Sequence, residues 1–169
     1  MEYLTVASQA LLTSVFGWAA VSKVRTFASF RQSLRQMVPG RYVGVVAAAI
    51  VTAESGCALA VPVSAVVGLM ACLGVLIVFC LGIGVLLVRG VSASCACFGA
   101  GGAPLGRKHL VRNGLLAGIA LSGLVTNIDT AGELQMAGVL TAVFAGLIGA
   151  ALLVSFDDLA ELFMPSTAR

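Results

Sequence analysis

Residues 92–102, SASCACFGAGG, set two cysteines one residue apart, ahead of a phenylalanine and a run of small residues. A Cys-x-Cys pair can hold a metal, make and break a disulfide, or shape a tight turn. Adjacent α-carbons lie about 3.8 Å apart, so Cys95 and Cys97 come within disulfide range only where the chain bends between them. The ring so formed is small and strained, and strained disulfides are the labile, catalytic kind. Gly99, Gly101 and Gly102 permit the necessary bends. Arg89, Arg107, Lys108 and His109 would favour a thiolate if they fold towards it. A structural zinc site takes four N or S donors, and His109 is the sole histidine. Redox chemistry is therefore the preferred reading, with no metal site assigned. A soft-metal pair and incidental thiols are its alternatives.

Glu54 is the second candidate. It falls near the middle of an apolar segment, where an ionised carboxylate is costly and usually faces a partner or a cavity. Cys57, three residues on, shares its helix face. Glu54 reads as a proton relay, a quinone contact or the partner of a basic side chain. It reads equally as a protonated group that fixes helix packing. Arg112 and Asn113 open an apolar segment directly after the cysteine loop. A guanidinium there can pair with Glu54, steady a thiolate or bind lipid phosphate, and its ordinary role is to snorkel at the boundary. His109 reads as an interfacial polar residue. Lys23, closing the first apolar segment, reads as an interface anchor. Cys72 and Cys80 read as small packing residues.

Helices in a bilayer must position these groups. The chain has 169 residues, 60% hydrophobic and 10% charged, with a mean hydropathy of +1.08. A soluble domain carries about 25% charged residues, so the composition describes an integral membrane protein and excludes the soluble classes. A span needs about 20 apolar residues. Five segments qualify: 4–22, 42–60, 63–88, 110–126 and 134–156. AVPVSA divides the second from the third, with Pro62 expected to open a new helix after a tight bend. The start of the chain has no basic stretch ahead of its first apolar run, so that run is expected to be a retained helix. The fold expected is an all-α polytopic membrane bundle forming a single transmembrane domain.

A sixth, shorter helix is expected over 26–38. Phe27, Phe30, Leu34 and Met37 recur at helical spacing opposite Arg31, Gln32, Arg35 and Gln36, and Pro39-Gly40 ends the run. This is an interfacial amphipathic helix, apolar face in the acyl boundary and arginines at the headgroups. Small residues four apart, Gly114, Gly118 and Ser122, then Gly138, Ala142, Gly146 and Ala150, give ridges for close helix packing. With five spans all 10 Lys and Arg residues fall on one side. Positive-inside bias makes that side cytoplasmic, with the N-terminus outside and the Cys-x-Cys loop, 89–109, at the inner face.

Gly17 and Lys23 in GWAAVSK, the phenylalanine-bearing amphipathic loop, Glu54 with Gly56, and CACFG followed by Arg112-Asn113 together resemble the MauE branch of the MauE/DoxX membrane proteins. The family pattern has a glycine and lysine late in helix one, a glutamate in helix two, and C-x-C-F-G ahead of Arg-Asn. The resemblance implies a small bacterial inner-membrane protein linked to thiol redox chemistry. It implies roles for Cys95, Cys97, Phe98, Gly99, Lys23, Glu54, Arg112 and Asn113. The family is associated with maturation of the disulfide-rich small subunit of methylamine dehydrogenase, beside a thioredoxin-like partner. Such exported clients oppose an inward-facing loop. The loop then reaches a quinone or relay from the interior, or the orientation is reversed, or the client is cytoplasmic.

The expected activity is thiol–disulfide oxidoreduction by Cys95 and Cys97, with a quinone as acceptor and Glu54 and Arg112 in support. The partners to expect are the lipid bilayer and a thioredoxin-like or disulfide-containing protein, with a homo-oligomer allowed and no nucleic acid. The rivals are a soft-metal transporter or metallochaperone, a non-catalytic assembly factor, and a membrane-embedded biosynthetic enzyme using Glu54.

Overall fold

Where water is absent, backbone N–H and C=O groups must be satisfied within the chain, and helices do this segment by segment. The computed structural model describes residues 2–89, 107–127 and 135–155. Cys95, Cys97, Phe98 and Gly99 lie outside the described residues. Six α-helices follow in order: α1 (Glu2–Arg25), α2 (Phe27–Leu34), α3 (Val43–Val63), α4 (Ala65–Val88), α5 (Arg107–Thr126) and α6 (Met136–Val154). All but α2 are long and apolar enough to cross a membrane. The five-span helical bundle with one short extra helix is thus the fold, as the hydropathy pattern indicated.

Helix α1 is the most enclosed span and touches every other helix. Its two sides are lined with small and apolar residues, so it can be buried all round rather than along one stripe. Leu11, Leu12, Val15 and Phe16 pack with Leu69, Cys72 and Leu76 of α4 and Leu116 and Ala120 of α5. Helix α6 lies along α1, and small residues set the distance: Gly146 sits against the Ala7 carbonyl and Ala10, and Gly138 against the Tyr3 ring. The α5 ridge behaves otherwise. Gly114 and Gly118 face outward with no neighbour near their α-carbons, and Gly123, outside that ridge, meets Ser8 and Leu69. Near the start of α1, the hydroxyls of Thr5 and Thr126 hydrogen-bond at 2.8 Å.

Three expectations are corrected. Pro62 does not open α4; it lies in the last turn of α3, and the chain breaks at Ser64 (φ −148°, ψ 114°). Proline costs a helix one hydrogen bond, which a final turn tolerates more readily than an interior one, and the reversal falls two residues later. The apolar stripe of α2 is divided: Phe27 stays exposed, whereas Phe30 and Leu34 turn into the bundle instead of outward. Phe30 and Leu34 are buried with Val43 and Ala47 of α3, while Arg31 and Arg35 are exposed. Burying an aromatic side chain in the bundle satisfies the same apolar stripe. His109 is not in the loop, because α5 starts at Arg107.

Helices α3 and α4 fold back on each other about Ser64, and Gly68 makes this hairpin close. A Cβ on Gly68 would collide with the backbone of Val61 and Ala60, whereas one on Gly74 would meet nothing within 4 Å. Replacing Gly68 by alanine is expected to cost about 1–3 kcal/mol through overpacking. Thermal unfolding of Gly68→Ala and Gly74→Ala in detergent checks this, the second variant melting with the wild type.

Candidate functional site

The site begins with two charges that sequence position alone did not join. Lys23 lies two residues from the end of α1 and Glu54 midway along α3. The Lys23 Nζ donates to both carboxylate oxygens of Glu54, at 2.7 and 2.8 Å. Their side chains are 2% and 3% exposed. Lys23 is therefore no interface anchor, and of the readings for Glu54 the charge partner describes its contact. A bidentate carboxylate and the Phe30 ring, 5.7 Å from Nζ, surround the ammonium. Cation–π attraction of this kind strengthens when water is excluded.

Helix α5 brings three polar residues to the same region. His109, Arg112 and Asn113 are spaced at i, i+3 and i+4, so they share one face, and all are buried. Arg112 is close enough to act electrostatically on both Lys23 and Glu54. Neither the snorkelling reading of Arg112 nor the interfacial reading of His109 holds, because the face that carries them is turned into the bundle. Cys57 lies about one turn beyond Glu54 on α3 and is not one of these polar groups. It packs with Cys72 in the apolar cluster between α3 and α4.

A cavity of about 330 Å³ opens beside these polar groups. Lys23, Glu54, His109, Arg112 and Asn113 form its polar part, and the remaining walls are apolar, among them Phe30, Ile50, Leu76, Phe79, Ile83 and Leu86. Small-molecule sites have this character: mostly apolar, with a few convergent polar groups. Sequence reasoning missed Phe30, Phe79 and Ile83 as lining residues, since an apolar side chain facing a cavity looks the same in sequence as one facing lipid. Among the described residues no three His, Cys, Asp or Glu side chains gather as they would around a metal.

A five-span helical membrane protein with a buried lysine–glutamate pair beside an apolar cavity is the class that fold and site define. The family model described as methylamine utilisation protein MauE matches residues 1–126, and the chain belongs to the MauE family. That match takes in α1 to α5, CACFG and Arg112-Asn113, and ends where α5 ends. No curated protein and no solved structure matches the chain significantly.

Removing one partner of a buried pair strands the other charge, at a cost of about 3–5 kcal/mol, while replacing both by apolar residues is often neutral. Glu54→Ala is expected to lose stability by about that amount. Lys23→Met combined with Glu54→Leu should recover most of it. Thermal unfolding of the single and paired variants in detergent measures both, and equal losses in the two would contradict the ion-pair account.

Proposed function

We propose that the protein is a membrane thiol–disulfide oxidoreductase in which Cys95 and Cys97 cycle between disulfide and dithiol. Its exchange partner is a thioredoxin-like protein or a disulfide-forming client. The observation that carries this reading is the cavity, whose α4 and α5 walls belong to the two helices that the CACFG segment connects. Five residues lie between Arg89, the cap of α4, and Cys95, so chain length alone limits Cys95 to about 22 Å from Arg89. Leu86 and His109, on either side of that segment, both line the cavity.

The exchange needs no metal. A client thiolate attacks one sulfur of the Cys95–Cys97 disulfide, giving a mixed disulfide and one free thiolate on this chain. The second client thiolate then attacks the client sulfur of that mixed disulfide and expels this chain's cysteine as a thiolate, leaving Cys95 and Cys97 as the dithiol and the client as its disulfide, oxidised by two electrons. Reoxidation requires an acceptor of two electrons and two protons, and a membrane quinone, when bound, supplies that chemistry. The cavity suits such a group in volume, in apolar walls and in donors at one end. Lys23, Arg112, Asn113 and His109 would orient carbonyl oxygens there. Among the described lining residues Glu54 is the sole carboxylate, and in this reading it relays the thiol protons one at a time towards the acceptor.

The reading places the protein in a bacterial inner membrane, N-terminus outside by charge bias. Cys95 and Cys97 retained in an otherwise cysteine-free chain, then acid-trapped in cells and mass-tagged, should be partly oxidised. Quinone depletion should drive them to the dithiol. Glu54→Gln should slow reoxidation roughly 100-fold, the lower range for loss of a general base. A pair reduced under every condition would sink the proposal.

A further inference from the structure

Gly68 fixes more than the hairpin. Since a Cβ there would strike the Val61 backbone, α3 and α4 meet backbone to backbone at these two residues. Cys57 lies one turn before Val61, and Cys72 one turn after Gly68. The helices run antiparallel about Ser64, so that register sets the two cysteines opposite each other. Both cysteines belong to the same packed cluster, and the residues are 2% and 0% exposed. A disulfide requires close α-carbons and converging Cβ vectors, and a glycine-tightened antiparallel crossing one turn away favours the first of these.

Two neighbours make this pair more than packing. Glu54 precedes Cys57 by three residues, and Leu76 follows Cys72 by four, so each is about one turn away along its own helix. Both line the cavity. The thiols therefore sit one turn beyond its floor, next to its carboxylate. We propose that Cys57 and Cys72 form a second redox centre, closing to a disulfide between α3 and α4 and reopening to the dithiol. On closing, two S–H bonds break and one S–S bond forms. Two electrons and two protons leave for a quinone, which becomes the hydroquinone. The identity of this oxidant rests on the quinone reading above, but the geometry of the pair does not.

Charge favours a disulfide over a bound soft cation here. Two thiolates around a monovalent ion would leave a net negative charge in an apolar cluster, one turn from a carboxylate. A disulfide is neutral, and an apolar core accommodates it without a counter-ion. Closing the bond would also join the helices that carry Ile50 and Glu54 on one wall of the cavity and Phe79 and Ile83 on another.

The test uses the full chain with Cys80, Cys95 and Cys97 replaced by serine, in native membranes. Thiols are counted by mass-tagging after treatment with a short-chain quinone or, in parallel, with diamide. Two tags before treatment and none after either oxidant is the expected result. A further Cys57→Ser change should leave a single tag that neither oxidant removes, which shows that Cys57 is the partner of Cys72, and migration of the oxidised protein as a monomer on a non-reducing gel places the bond within one chain. Closure by diamide alone would support the pair and overturn the quinone reading. Two tags persisting after both oxidants would overturn the pair while leaving the Cys95–Cys97 chemistry to its own assay. The same count in the wild type, with peptides assigned by mass spectrometry, covers a poorly expressed variant.

Discussion

The Lys23–Glu54 ion pair constrains everything around it. Transfer of either charge alone into an apolar bundle would cost several kcal/mol, so each helix that carries one depends on the other. Their attraction offsets that cost only with good geometry, and the bidentate contact at 2.7 and 2.8 Å provides it. The pair thereby fixes how α1 and α3 are registered along the membrane normal. A slip of one turn in either helix would strand both charges. It also accounts for α2, which folds back so that Phe30 lies beside the ammonium instead of in lipid. Specificity of assembly, more than net stability, is what such a pair contributes.

The bundle divides into a dry half and a half with room in it. Near Ser64 the helices are drawn together by Gly68, by Gly138 and Gly146 on α6, and by the Thr5–Thr126 hydroxyl contact. Nearer the Lys23 end the lining includes long apolar side chains and five polar or charged ones, and the helices leave a cavity between them. Close packing at one end holds the frame, so the other can keep an open volume without the bundle collapsing on it. In lipid, where no hydrophobic force joins helices, contacts of small residues do this holding.

Much of the architecture is legible in the chain. Five apolar segments, Glu54 inside one of them, and Arg112-Asn113 at the head of another are local features, visible without knowledge of neighbours. What is not legible concerns direction around a helix axis. Phe30 and Gly114 carry no mark of whether they face protein or lipid, since both environments are apolar; the first turned inward and the second outward. Lys23 looked like an anchor because lysines at span ends usually reach water, and its partner lies 31 residues away on another helix. Pro62 was a true boundary signal displaced by two residues. The C-x-C-F-G block, in contrast, is legible only as sequence.

Among the described helices α1 is made well before α6, yet the two are fitted to each other more closely than most pairs in the bundle. The Ala7 carbonyl and Ala10 pack against Gly146, and the Gln135 N–H donates to the Tyr3 hydroxyl at 3.2 Å. During synthesis, then, α1 must wait in the bilayer with one flank uncovered until α6 inserts. Lipid, or the insertion machinery, has to shelter that flank meanwhile. Among the described helices, the bundle is sealed by the one that follows all its partners in the chain.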